Sequence, residues 1–292
     1  MRILLLGKHG QLGWELHRSL PGLGEITALD YPEIDLAQPA GLGGLIERLH
    51  PQVIVNATAY TAVDQAESRP ELAYAINRDA AAEMASAARR TGAVLVHYST
   101  DYVFDGTLGR AYSESDPVNP LNIYGRSKLE GEEALAQSGC VYLTFRTAWV
   151  YSLRRPSFVS KVLEWSRKQT SLRVVDDQVS SPTWARSLAA VTAQMLAKAN
   201  PDPQAYFTPL AGLYHLAGEG AASRLAWARL ILELDPHKEE QKTVELLPAA
   251  TSEFPTPAQR PLYSPLDCAK FNQTFGLRLP DWQTALKLAM NE

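Results

Sequence analysis

Along the first half of the chain, short apolar runs alternate with stretches of helical period. RILLLG comes first, with a helix predicted from about Gln11, then EITALD, a helix over 43–49, QVIVNAT and a long helix over 71–90. AVLVHYS, a loop, a helix carrying Tyr124 and Lys128, and CVYLTFRTAWVY complete this set. Strands that are apolar throughout are buried on both faces, as in a parallel sheet covered by helices on both sides. The pattern predicts an α/β fold, a doubly wound parallel sheet of the Rossmann type. Beyond Tyr151 the rhythm loosens into a helix over 157–168, the run LRVVDD, a helix over 185–199, LYHLAG and a helix over 225–234. Prolines then thicken over 248–265. We expect a dinucleotide-binding domain over 1–150 and a smaller, mainly substrate-binding lobe over 151–292, with some chain exchanged between them. The Pro-rich loop is long enough to close over a ligand or to serve as a passive connection.

Composition narrows the class of function. With 292 residues, 46% hydrophobic and 21% charged, at a net charge of −4, the chain has the balance of a globular protein of one large or two packed domains. No apolar run reaches the ~18 residues of a membrane span, and MRILLLGKHG turns polar too early for a signal peptide. A cytoplasmic protein is the expectation, without a membrane partner. Cys140 and Cys268 lie far apart with no second ligand at metal spacing, so no metal site is expected. The acidic balance, with no Lys/Arg cluster, argues against nucleic acid and for a small molecule.

Gly7, Gly10 and Gly13 in GKHGQLG follow the first strand and open the first helix. That spacing lets the backbone approach a pyrophosphate at a helix N-terminus, and a dinucleotide site is expected. Asp30 ends EITALD, where a carboxylate accepts from an adenosine ribose and repels a 2′-phosphate; a strand-end cap is the alternative use. Lys8 and His9 in the Gly loop offset that repulsion, so NADPH and NADH both stay open. Asp35 and Leu36 are placed near the adenine by position alone. Ala59, Tyr60 and Thr61 follow the third strand at the carboxyl edge of the sheet, where ligands bind in such folds.

Tyr124 and Lys128 stand four residues apart, on one helix face. A cation beside a phenol favours the phenolate and lowers a pKa that is otherwise about 10, making Tyr124 a candidate proton donor and acceptor. Ser99, Thr100 and Asp101 close the fourth strand at the same sheet edge, where a Thr100 hydroxyl can orient a carbonyl while the phenol protonates the developing alkoxide.

The Gly loop, STDYVFDG and YGRSK together resemble the extended short-chain dehydrogenase/reductase superfamily. With NATAYTAVDQAE, NIYGRSKLEGE, RTAWVY and RVVDDQVSSPT they resemble, more narrowly, the dTDP-4-dehydrorhamnose reductase family. The blocks run from residue 1 to about 190, and FGLRLPDW continues the likeness. The resemblance implies that Tyr124 donates the proton, Lys128 assists it and bonds the nicotinamide ribose, and Thr100 orients the carbonyl. It implies a cofactor, NADPH or NADH, surrounded by Gly10, Gln11, Leu12, Asp30, Asp35, Leu36, Ala59, Tyr60 and Thr61. It places Asp101 and Trp149 at a dTDP-sugar substrate. Arg260, in QRPLYS, is where a cation meets a diphosphate, or else a solvated loop residue. The implied reaction is reduction of the C4 ketone of dTDP-4-dehydro-L-rhamnose to dTDP-L-rhamnose.

Departures from the family pattern are Tyr263 in RPLYS and Ser157 where Asn is frequent before FV. Some relatives dimerise through carboxylate-held magnesium; Glu15 matches one such position, but Arg186 replaces another and cannot ligate a cation. A monomer or weak homodimer without a bridging metal is expected. Two other readings remain: a non-catalytic regulatory subunit like that of methionine adenosyltransferase, which resembles the same family, and a reductase or epimerase of another nucleotide sugar.

Overall fold

In the computed structural model, which describes residues 1–291, six strands form one parallel sheet. They are β1 (Arg2–Leu6), β2 (Glu25–Leu29), β3 (Val53–Asn56), β4 (Val94–Thr100), β5 (Val141–Thr147) and β6 (Gly212–His215). Their spatial order is β6-β5-β4-β3-β1-β2, and every pairing is parallel. Side chains alternate across the pleat, yet both faces are apolar. Ile3, Leu5, Val53, Val55, Val94 and Val96 pack on one side with the helices Gln11–Ser19 and Ala185–Lys198. Leu4, Leu6, Ile54 and Leu95 pack on the other with Leu42–Leu49 and Ala80–Thr91. This double burial is why the strands read as unbroken apolar runs. From β1 the chain moves outward to β2 and then crosses to β3 on the far side of β1. The carboxyl ends of β1 and β3 therefore form the switch point where ligands bind in doubly wound sheets.

The second half of the chain does not stay apart from this sheet. Helix Ala185–Lys198 covers it, β6 extends it beside β5, and helix Ala269–Phe275 packs on β6. The remaining segments build a smaller layer in which Ser171–Val175 pairs in parallel with Glu245–Ala249. Its core is aromatic, with Tyr151, Trp184, Trp227 and Trp282 buried among the helices Phe158–Lys168, Arg224–Leu234 and Trp282–Met290.

Two local irregularities matter for the site. The helix expected over 71–90 is interrupted by a π-helical turn at Ala75–Asp79, which turns buried Asn77 inward. Its amide oxygen accepts from Tyr60 N at 2.9 Å, and its nitrogen donates to Ser127 Oγ at 2.9 Å, tying the loop after β3 to the Tyr124 helix. The run CVYLTFRTAWVY is likewise not one strand: β5 ends at Thr147 and a two-residue strand, Val150–Tyr151, follows. Between them Trp149 has φ of +42°, a left-handed conformation that a bulky residue adopts only where its surroundings hold it. No helix among the described residues is long and apolar enough to cross a membrane.

Candidate active site

The Gly loop leaves β1 with Gly7 at φ +90°, and Gly10 N donates to Gly7 O at 3.0 Å. A Cβ on Gly13 would lie 1.8 Å from that same carbonyl, so the helix opens against the turn only because residue 13 has no side chain. Asp30 sits where expected and is engaged with the loop: its Oδ2 accepts from His9 N at 2.8 Å. Beside it, Lys8 Nζ is bound to Glu33 Oε1 at 2.5 Å. The contact seen here is the capping one, with Asp30 at the end of β2 holding the loop.

A cleft of about 500 Å³ runs from this loop across the carboxyl ends of β3, β4 and β5. Gly10, Gln11, Leu12, Ala59 and Thr61 line one part, and Thr100, Asp101, Tyr124, Lys128 and Trp149 line another. Three buried polar atoms of cleft-lining residues have no partner among the described residues: Gln11 Oε1, Ser99 Oγ and Thr147 Oγ1. Native structures seldom leave such atoms unsatisfied, so a polar ligand in this cleft fits them. Tyr60 lies outside the wall, its hydroxyl donating to Gln65 Oε1 at 3.4 Å. Asp35 is exposed and accepts from Ala37 N at 2.9 Å within its own turn, and Leu36 packs under the sheet; neither reaches this cleft.

Tyr124 enters from the helix Ile123–Gln137, whose first turn is capped by Asn122 accepting from Gly125 N at 2.8 Å. Its phenol shares the cleft wall with the Thr100 hydroxyl. Burial pushes the phenol above its ordinary range, and the Thr100 contact opposes this. The expectation that the Lys128 cation lowers this value is corrected by the geometry. Lys128 is fully buried, and its Nζ turns to β4, donating to Tyr98 O at 2.6 Å and meeting His97 Nε2 at 3.1 Å. Burial brings the Lys128 amine down to about 8, with Glu132 opposing.

Asp101 lines the cleft with its carboxylate already held. Ser180 Oγ donates to Oδ2 at 2.8 Å, Ser264 Oγ donates to the same oxygen at 2.7 Å, and Thr100 Oγ1 donates to Oδ1 at 3.2 Å. Both serines belong to the second layer of the protein, so this group clasps that layer to the end of β4. Burial raises the Asp101 carboxyl, and the three hydroxyls oppose it.

Trp149 stacks on Trp227, ring centroids 5.6 Å apart, and the Arg224 guanidinium lies 3.7 Å from its ring centroid. Arg224 also lines a second pocket, of about 640 Å³, together with Lys161, Arg173 and Arg260. Four of the residues lining it are cationic and none is acidic, which suits an anion. Trp149 and Arg224 thus stand where the two pockets approach each other. Arg260 is more committed than the sequence implied: its Nη2 meets Asp64 Oδ2 at 2.8 Å and its Nη1 meets Oδ1 at 3.1 Å, which fastens the Pro-rich loop to the helix after β3. Ser157, the departure before FV, caps the helix Phe158–Lys168 in a reciprocal pair with Ser160. Sequence reasoning missed Lys161, Arg224, Asn77 and His97. The first two were lone cations near helix starts, and the others gain meaning only through partners distant in sequence.

The family model described as the RmlD substrate binding domain matches residues 1–292. A dTDP-4-dehydrorhamnose reductase of Burkholderia thailandensis is 42% identical over 296 residues, covering 100% of this chain and 99% of the relative. The Clostridium acetobutylicum dTDP-4-dehydrorhamnose reductase structure superposes with a TM-score of 0.90 at 34% identity, covering 100% of this chain and 99% of that one. The Bacillus anthracis dTDP-4-dehydrorhamnose reductase, solved in complex with NADP, superposes with a TM-score of 0.89 at 32% identity, covering 99% of this chain and 98% of that one. With a matching sheet, an end-to-end family match and relatives alike over their whole length, the chain belongs to the dTDP-4-dehydrorhamnose reductase family.

Proposed function

We propose that this protein reduces the C4 ketone of dTDP-4-dehydro-L-rhamnose to give dTDP-L-rhamnose, with NADPH or NADH as cofactor. The observation that carries this reading is the meeting of Thr100, Tyr124 and Lys128 in one cleft with the Gly10–Leu12 turn. A reduced nicotinamide bound there supplies the hydride. Gly7, Gly10, Gln11, Leu12 and Gly13 hold its pyrophosphate, Ala59 and Thr61 flank it, and Asp30 frames the adenosine end, while Tyr60, Asp35 and Leu36 stand outside the cleft wall.

The Thr100 hydroxyl positions the ketone oxygen, and Tyr124 donates a proton to that oxygen as charge develops on it. A phenol pushed upward by burial stays protonated at neutral pH, as a donor must. Lys128 lies behind both and bonds the cofactor ribose. Trp149 and Asp101 flank the sugar. The cationic pocket with Lys161, Arg224 and Arg260 takes the nucleotide diphosphate.

Cofactor choice rests on Asp30, Lys8 and Glu33. Asp30 and Glu33 are two carboxylates at the adenosine end, and Glu33 occupies the lysine that would otherwise meet a 2′-phosphate. The protein works as a monomer or weak homodimer without a bridging metal. Three guanidinium groups, of Arg154, Arg186 and Arg18, act on the Glu15 carboxylate and leave a divalent cation poorly favoured there. Reduced-nicotinamide oxidation with the dTDP-sugar tests the whole reading, and Tyr124→Phe retaining most of the turnover would sink the mechanism.

A further inference from the structure

Behind Lys128 lies a chain of polar groups that no step above uses, half-buried Thr58 and buried Asn56 and His97. Its hydrogens can be assigned. Thr58 N, a backbone donor, lies 3.0 Å from Asn56 Oδ1 and fixes which way that amide faces. The Asn56 nitrogen therefore points at His97 Nδ1, 2.9 Å away, and donates to it. Because Nδ1 accepts, the proton of the neutral ring is on Nε2. That N–H points at Lys128 Nζ, 3.1 Å away.

An ammonium has no lone pair and cannot accept from Nε2–H. A free amine can, and it keeps a hydrogen to donate to Tyr98 O at 2.6 Å. We propose that His97 is a positioning residue for Lys128: locked by Asn56 as the Nε2–H tautomer, it donates to the lysine nitrogen and favours the uncharged amine in the cofactor-free cleft.

The surroundings agree. Burial lowers the His97 imidazole well below its ordinary value, so a charged ring is not the alternative. Burial also lowers Lys128, to about 8, in the direction the ring N–H drives it. On its own helix Lys128 faces Tyr124 and the Glu132 carboxylate, which favours the ammonium. Glu132, however, is paired with buried Arg146 of β5 at 2.6 Å. Charging Lys128 thus requires its nitrogen to leave the His97 bond, and a cofactor ribose offers the acceptor to receive it. Lysine charge and cofactor occupancy become coupled, a step that rests on the cofactor role given to Lys128 above.

The test begins with ¹⁵N-histidine-labelled protein in long-range proton–nitrogen spectra, with no substrate present. Two imidazoles are buried and held neutral, His97 and His215. His215 Nδ1 faces the Tyr112 carbonyl at 3.0 Å and so carries its proton on Nδ1. We expect two non-titrating rings of opposite tautomer, His215 as Nδ1–H and His97 as Nε2–H; two Nδ1–H rings would overturn the proposal. The second arm is His97→Gln, whose amide oxygen can accept from an ammonium. The alkaline limb of kcat/KM for the cofactor, which reports the cofactor-free enzyme, should move up by about one pH unit, the size of one hydrogen bond. A lowered plateau with an unmoved limb means a merely structural histidine and overturns the proposal. If the protein turns over no dTDP-sugar, or His97→Gln does not fold, the wild-type tautomer still decides.

Discussion

Replacing Asp101 tests whether this carboxylate is a clasp between the two layers. In Asp101→Ala, Ser180 Oγ and Ser264 Oγ lose an acceptor at 2.8 and 2.7 Å. Hydrogen bonds to a charged group contribute roughly 1.5–3 kcal/mol each, so the two together are worth about 3–6 kcal/mol. Part of this is offset because a buried carboxylate no longer has to be desolvated. The serine oxygens, 3.4 Å apart, can also bond each other. The net cost should be about 2–3 kcal/mol. Asp101→Asn keeps the shape and one acceptor, and hydroxyls rotate to suit it, so about 1 kcal/mol or less is expected. The pH dependence has a definite sign. Burial raises the Asp101 carboxyl in the folded protein, so its favourable contribution is complete below its unfolded value, near ~3.9, and declines as pH rises through the folded value. The stability of Asp101→Asn relative to wild type should therefore improve from about pH 4 toward neutrality. Urea unfolding followed by tryptophan fluorescence and circular dichroism, with coincident transitions, gives these numbers. A cost for Asp101→Ala below about 1 kcal/mol would refute the clasp, and a deficit of Asp101→Asn that grows with pH would refute the burial-raised carboxyl.

Gly13→Ala forces a Cβ to 1.8 Å from Gly7 O, so the turn must open; cofactor affinity, read by fluorescence titration, should fall by about 100-fold or more, roughly 2.7 kcal/mol. Glu33→Gln releases Lys8 and removes a negative charge, and should shift the NADPH-to-NADH ratio of dissociation constants by about tenfold toward NADPH. An unchanged ratio would remove Lys8 and Glu33 from cofactor selection. Arg224→Met keeps the apolar contact with Trp149 but withdraws a cation from the basic pocket. It should raise the substrate KM and weaken dTDP binding in calorimetry by about 10-fold or more, with a smaller loss in kcat.

Much of the sheet was legible because it is buried on both faces: RILLLG, QVIVNAT and AVLVHYS can be little else. The strand β6 was harder to read, because GLYH is short, begins with Gly, and pairs with β5 across some seventy residues of sequence. The π-turn at Ala75–Asp79 was hidden within an Ala-rich helical pattern. At the site, the Gly loop and the Tyr124–Lys128 spacing each lie within a few residues of sequence, and the structure brings Gly10, Tyr124 and Lys128 to one cleft. Tertiary partners redirected the rest. Lys128 answers to His97, Arg260 to Asp64 and Asp101 to Ser180 and Ser264, and no local spacing contains those pairs. Trp149 looked like ordinary core packing, and its left-handed backbone and the Arg224 face on its ring are visible only in three dimensions.

The most direct test of the central claim is loss of reduced-nicotinamide absorbance with purified protein and dTDP-4-dehydro-L-rhamnose generated in place, wild type beside Tyr124→Phe. The account predicts protein-dependent turnover to dTDP-L-rhamnose, and a fall in kcat of about 10²–10⁴-fold in the variant with cofactor affinity retained. Turnover that survives the substitution, or none with either cofactor despite tight cofactor binding, would contradict it.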